Sequence, residues 1–167
     1  MKFDSSLVYT ESSSPLGTIW LAATDTGLAG MWFVGQRHAP DHSDWTRVSN
    51  SQQHPILSAA NQQLQAYFAG SLRQFDLSLD LRGGTAFQQS VWQALLRIPA
   101  GETTSYGEIS RRIAKPLAVR AVGTAIGRNP ISIIVPCHRV VGTDGSLTGY
   151  AGGLDRKLAL LQLEGAL

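Results

Sequence analysis

Hydrophobic positions recur along this chain with two distinct periods, and each predicts a different element. Residues 18–24 (TIWLAAT) and 28–34 are apolar runs of strand length joined by Asp25-Thr26-Gly27, the pattern of a hairpin. Residues 35–53 are polar and include Pro40 and two Asp, which predicts a loop. Pro55 then opens a helix. Leu57, Ala60, Leu64 and Phe68 share one face, Gln62, Gln63 and Gln65 stand on the wet side, and Gly70 ends it. Residues 75–81 (FDLSLDL) alternate strictly, the signature of a half-buried strand. Arg82-Gly83-Gly84 has the composition of a linker, so a domain boundary is placed there. It divides the chain into an α/β part, 1–84, and a second part, 85–167.

The second part reads as mostly helical. Thr85 is a natural N-cap for a helix over 86–97, with Phe87, Val91, Leu95 and Ile98 on one stripe, and Pro99-Ala100-Gly101 breaks it. Helices over 105–114 and 118–127, separated by Lys115-Pro116, have the spacing of a helix-turn-helix. Residues 131–135 are β-branched and predict a short buried strand that runs into Pro136-Cys137-His138-Arg139. A Gly-, Ser- and Thr-rich loop over 142–153 follows. A helix over 154–163 closes the chain at Glu164-Gly165. There is no internal repeat.

Composition narrows the class. With 167 residues, 43% hydrophobic and 16% charged, the chain is globular, one compact domain or two small ones sharing an interface. No apolar run is long enough to cross a bilayer, and the N-terminus lacks the apolar core of a secretory signal. The expectation is a cytoplasmic protein without a membrane partner. The net charge of +2 hides an asymmetry. Residues 97–139 hold seven Lys/Arg (Arg97, Arg111, Arg112, Lys115, Arg120, Arg128, Arg139) against Glu102 and Glu108. A basic segment in a nearly neutral chain points to a face for a polyanion, although a solvated helical surface has the same composition.

The single cysteine excludes a disulfide within the chain and any zinc site built from several thiolates. His38 and His42 stand close together without further ligands, so they read as a solvated loop, and no metal is expected. Cys137 is the residue with chemical potential. It adjoins His138 and lies among basic residues, which lower a thiol's pKa, and an imidazole can take its proton. A lone cysteine is more commonly a small buried hydrophobe, and neighbours in sequence need not face each other. From the residues alone both readings stand.

The run Ile133-Ile134-Val135-Pro136-Cys137-His138-Arg139-Val140-Val141 resembles the active-site motif of the O6-alkylguanine-DNA alkyltransferases, the bacterial single-cysteine type above all. The resemblance continues, in the family's order and spacing, through Thr103-Thr104-Ser105-Tyr106-Gly107, Val119-Arg120-Ala121-Val122-Gly123, Arg128-Asn129-Pro130, Thr148-Gly149-Tyr150-Ala151-Gly152-Gly153 and Leu163-Glu164-Gly165. It covers 85–165 almost continuously. It extends more loosely to the N-terminal part through Pro15-Leu16-Gly17 and Tyr67-Phe68-Ala69-Gly70.

The resemblance implies an α+β protein: a small ribonuclease-H-like α/β domain followed by a mostly helical domain with a helix-turn-helix. It implies irreversible, stoichiometric transfer of an alkyl group from O6-alkylguanine in double-stranded DNA to Cys137, by a monomer and without a cofactor. Activity on O4-alkylthymine is left open. His138 would remove the thiol proton through a water and Glu164 would orient that histidine. Tyr106 would help extrude the nucleotide and donate a proton to guanine N3, and Asn129 would brace the loop that carries the cysteine. Backbone groups at Cys137 and Val140 would meet the amino edge of guanine. Tyr150 and Ala151 would line the substrate, with the Ala151 N–H toward O6. Arg120 would fill the space of the flipped base. Its helix, with the small residues Ala118, Ala121 and Gly123, would lie in the minor groove. The chain departs from the family at Val119, Thr124 and Ala151, where alanine, a small residue and, in some members, serine are usual. Two rival classes fit parts of the sequence. A non-catalytic damage sensor would lack the cysteine, and a cysteine hydrolase would leave the basic helix pair unexplained.

Overall fold

The computed structural model describes residues 7–167, so the first part of the N-terminal stretch examined for a secretory signal lies outside the described residues. The N-terminal half is a four-stranded sheet of β1 (Val8–Ser12), β2 (Ile19–Ala23), β3 (Leu28–Phe33) and β4 (Thr46–Arg47), in the order β3-β2-β1-β4. β2 and β3 make the expected antiparallel hairpin; β1 pairs antiparallel with β2, and β4 pairs parallel with β1. Neither β1 nor β4 was visible in the hydrophobic pattern. β1 mixes Thr, Glu and Ser with its apolar positions, and β4 is a two-residue contact with both residues exposed.

One face of the sheet carries Ile19, Leu21, Met31 and Phe33 against α1 (Pro55–Phe68). Pro55 sits in the first turn of that helix, where its missing N–H costs nothing. The opposite face holds Leu7, Ala22, Ala29, Trp32 and Trp45 under the 35–45 loop. That loop is folded onto the sheet. His42 packs its ring 4.0 Å from Trp20 and 4.9 Å from Tyr9, so the solvated reading of His42 is corrected. Gly30 is required here, because a Cβ would lie 1.8 Å from the Trp32 indole, which folds over it.

The C-terminal half contains α2 (Ala86–Leu95), β5 (Thr104–Ser105), α3 (Tyr106–Arg112), α4 (Val119–Gly127), a 3-10 turn (Cys137–Arg139), β6 (Val140–Val141) and α5 (Leu154–Leu163). Thr85 and Gln88 close a capping box at the start of α2, each side chain bonded to the other's backbone N–H. β5 and β6 pair in parallel, which ties the entrance of α3 to the segment just past the cysteine.

Two expected strands are not strands. Residues 75–81 are extended but meet the sheet at one point, where Leu28 N–H donates to Ser78 and Asp80 N–H donates to Leu28. Residues 131–135 are buried on every side as a tight turn. Val135 N–H donates to Ile131 (3.0 Å), and Ile133 takes φ +72°, rare for a β-branched residue. Their β-branched character serves burial, which a period of two could not distinguish from a strand. Both segments lie along the edge of β3, with Met31 N–H on Pro130 and Ser132 N–H on Met31, each 2.9 Å. The edge strand is thereby covered.

A single apolar core crosses the proposed boundary at residue 84. Leu21, Met31 and Leu64 share it with Val91, Trp92, Ile109, Val122 and Leu160. The linker itself is locked through Asp80, which accepts from Thr24, Thr26 and both Nε and Nη2 of Arg82 (2.7–3.2 Å). The Arg82 guanidinium, joined by the two hydroxyls, outweighs the burial of this carboxyl and holds it well below the usual carboxylate range. A depressed carboxyl stabilises the fold above the unfolded pKa and loses that contribution as pH falls. Asp80→Ala should therefore cost about 2 kcal/mol near neutrality. The difference should dwindle below about pH 4, read as a urea midpoint shift at unchanged slope.

Candidate active site

The turn over 131–135 delivers Cys137 to the first position of the 3-10 turn, at the floor of a cavity of about 440 Å³. Cys137 is 6% exposed and lines that cavity. Asn129 fixes the turn from inside. Its amide donates to Val135 O (2.7 Å) and to Cys137 Sγ (3.1 Å), and its oxygen accepts from Ile131 N–H (2.9 Å). Asn129 thus ties residues 131, 135 and 137 together through one side chain. Burial pushes the Cys137 thiol up, and the Asn129 hydrogen bond and the Lys157 charge pull against it without cancelling it. The opposing charge and hydrogen bonds do not outweigh that burial.

His138 is fully buried beside it. Its Nε2 lies 2.8 Å from Glu164 Oε1, at the end of α5. Glu164 also accepts from Arg139 Nε (2.8 Å) and Nη2 (2.9 Å) and from the Tyr67 hydroxyl (2.7 Å). Burial raises the Glu164 carboxyl, but the hydrogen bonds and charges of His138 and Arg139 outweigh it and hold the group well below the usual range. The anion is balanced by Arg139. Burial pushes His138 down, against the pull of Glu164, so the ring rests neutral. A neutral imidazole facing a carboxylate places its proton on Nε2. That leaves Nδ1 with a free lone pair, and this atom has no hydrogen-bond partner among the described residues.

Arg139 belongs by sequence to the basic segment. It is instead a buried structural ion, bonded also to the Ile98 carbonyl. The adjacent Arg in the Pro-Cys-His-Arg motif was the available signal. Lys157 had none. It is fully buried on a helix whose Leu154 and Leu158 are exposed. Its Nζ donates to Val140 O, Thr148 O and Gly149 O, which joins β6 to the loop before α5. Burial lowers its pKa to about 8.

The cavity wall brings together Tyr106, Arg120, Gly123, Tyr150 and Ala151, five of the residues singled out from sequence. Tyr106 donates to Thr148 O (3.0 Å) and stands against Gly123, whose added Cβ would meet its ring at 3.8 Å. Tyr150 presents its ring edge-on to His138, centroids 6.5 Å apart. Val140 lies behind the wall, its carbonyl held by Lys157. Ala118 caps α4 and Ala121 is exposed on it. Arg37 and His38, from the N-terminal half, also line the cavity, with Arg37 N–H donating to Ala151 O (3.0 Å). The solvated loop expected at His38 is corrected in its setting. His38 is exposed, but at the mouth of this cavity.

The basic face is smaller than the residue count implied. Arg111 and Arg112 share Glu108, at 2.7 and 3.2 Å, and Arg139 is internal. Arg120 and Arg128 remain at the cavity mouth, with exposed Lys115 on the turn before α4. Among the described residues no group of three His, Cys, Asp or Glu is arranged to hold a metal ion, and no helix is long and apolar enough to cross a membrane.

The comparisons with known proteins cover both halves. The family described as 6-O-methylguanine DNA methyltransferase, ribonuclease-like domain, matches residues 7–81, and the corresponding DNA binding domain matches residues 86–166. A methylated-DNA--protein-cysteine methyltransferase of Mycobacterium tuberculosis is 53% identical over 156 residues, 93% of this chain and 91% of that protein. One from Methanosarcina acetivorans is 50% identical over 161 residues, 96% and 99% of the two chains. The crystal structure of Mycobacterium tuberculosis OGT in complex with DNA superposes with a TM-score of 0.86 at 51% identity, covering 95% of this chain and 93% of that one.

Asn129→Ala should leave the buried Ile131 N–H unpaired, while the Val135 carbonyl keeps the Cys137 N–H, and cost about 1–3 kcal/mol. Asn129→Asp should be worse, because it sets a carboxylate against the sulfur and a carbonyl. Equilibrium urea unfolding of the two variants checks the order.

Proposed function

The chain belongs to the 6-O-methylguanine DNA methyltransferase family, a family of DNA-repair methyltransferases, and from that premise we propose that Cys137 takes the alkyl group from guanine O6 in duplex DNA. The observation that carries the residue assignment is the buried chain Cys137, His138, Glu164, Arg139 beneath one cavity. In this reading Nδ1 of His138 accepts the thiol proton through a bridging water. Glu164 holds the resulting imidazolium, and Arg139 keeps Glu164 ionised. The thiolate attacks the alkyl carbon, the C–O6 bond breaks, and the guanine leaves as its anion, which a proton from Tyr106 to N3 neutralises. Tyr106 must exchange Thr148 O for the base to do so. The product thioether is a very poor leaving group, so each molecule acts once.

The cavity is too far inside for a stacked base, so the nucleotide is turned out of the helix. Arg120, exposed on α4 and at the cavity mouth, fills the space it leaves. Ala118, Ala121 and Gly123 keep that helix slim enough for the minor groove, with Val119 and Thr124 as its two bulkier positions. Tyr150 and Ala151 flank the base, and the backbone at Cys137 and Val140 meets its amino edge. Residues 1–84 and 85–167 act as support and as reaction and DNA-binding domain, in a monomer that needs no cofactor and works in the cytoplasm.

Incubation with a duplex containing O6-methylguanine should add one methyl to the intact mass, on Cys137, with repaired DNA never exceeding protein in moles. Cys137→Ser should bind DNA but show no transfer. Turnover, or a methyl elsewhere, rejects the assignment.

Arg120→Ala should slow repair in duplex DNA by an order of magnitude more than it slows reaction with free O6-benzylguanine, which needs no flipping. Equal losses in the two rate constants would place Arg120 in the pocket or the fold instead.

A further inference from the structure

Tyr67 lies on α1, in the half of the chain to which the reaction assigns no chemistry, and it is 2% exposed. Its ring is packed between Phe68 and Phe75, with centroids 5.3 and 5.4 Å away. Its hydroxyl nevertheless leaves this apolar setting and donates to Glu164 Oε1 at 2.7 Å. Packing alone would be served by phenylalanine, and a buried hydroxyl adds desolvation cost unless its bond is made. Burial and the Glu164 charge both push the phenol up, so it stays protonated and acts as a donor.

Oε1 is the oxygen that holds His138. It receives three donors, Tyr67, His138 and Arg139 Nη2, whereas Oε2 receives Arg139 Nε. A carboxylate oxygen has two lone pairs in its plane, so Tyr67 and His138 compete for the same density. We propose that Tyr67 is a positioning residue for alkyl transfer: its hydroxyl fixes the orientation of Glu164 and tempers the charge that Oε1 presents to His138. This rests on the reading of His138 and Glu164 as base and orienter. It makes the N-terminal half part of the proton-removal machinery.

The consequence has a sign. Without the phenol, Oε1 presents more charge to His138 and the imidazolium is favoured. The acid limb of the transfer rate then moves to higher pH. The other groups facing His138 are Arg139 on its own turn, Lys157 and Glu164 on the closing helix, Cys137 before it and Tyr150 from the loop. None of these residues is replaced in Tyr67→Phe, which removes one oxygen and no formal charge.

The experiment measures the rate of reaction of the full chain with O6-benzylguanine against pH, for the native sequence, Tyr67→Phe, Glu164→Gln and the double variant. It is run below the melting temperature of the least stable protein. Tyr67→Phe should move the acid limb up by about half a unit or more, with the titration of ring-labelled His138 followed by NMR moving the same way. In the Glu164→Gln background the same change should do little, because the phenol acts through that carboxylate. A Tyr67→Phe protein that melts lower but keeps the limb and the His138 midpoint has lost only packing, and the proposal is then wrong. Should Tyr67→Phe not fold, the native protein and Glu164→Gln remain for the NMR titration, in which an unchanged His138 midpoint overturns the proposal. If Glu164→Gln also leaves the limb in place, the base-and-orienter reading has failed and the Tyr67 proposal falls with it.

Discussion

An ionised carboxylate buried as deeply as Glu164, 3% exposed, costs several kcal/mol unless its oxygens are fully paired. The structure meets that demand by converging on it. α1 supplies Tyr67, and the 3-10 turn supplies His138 and Arg139. Arg73, in the segment after α1, donates to the Glu164 backbone carbonyl. The docking of α5, the conformation of the Pro-Cys-His-Arg segment and the polar contact between the two halves therefore meet at one charge, beside the apolar core the halves share. Removing any donor leaves the others facing an under-compensated anion, which explains why the site and the core cannot be separated.

The same economy governs the cysteine. Burial favours the protonated thiol, and the imidazole beside it is itself buried and held neutral. Asn129 and Lys157 hold the backbone on either side. Asn129 closes the turn before Cys137, and Lys157 gathers three carbonyls from β6 and the loop that forms the cavity wall. Each is a polar group that fixes backbone geometry, and each is costly to remove because it satisfies a buried backbone group, the Ile131 N–H for Asn129 and the Val140 carbonyl for Lys157.

For DNA, the arrangement of charge matters more than its amount. Three of the seven basic residues between 97 and 139 are engaged within the protein, two by Glu108 and one by Glu164. The cations left near the cavity, Arg120 and Arg128 from this segment and Arg37 from the N-terminal half, stand where Cys137 is reached. Phosphate contacts made by such cations carry little sequence information, which suits a protein whose lesions occur anywhere.

The sequence alone determined the helices, because α1, α2, α4 and α5 have apolar stripes and end signals that need nothing beyond the chain itself. It determined the β2–β3 hairpin for the same local reason, and it singled out Cys137 because that thiol is unique. Tertiary structure decided the rest. Residues 131–135 look like a strand and fold as a turn because β-branched residues satisfy burial in either form, and Asn129, at the start of this segment, selects the turn. Arg139 and Lys157 look like surface cations and are internal, because their partners lie 25 residues away in one case and on three separate carbonyls in the other. The bond from Tyr67 to Glu164 spans 97 residues. No local pattern encodes such a contact, since the free energy that pays for burying a polar group is supplied by a partner that only the fold brings near.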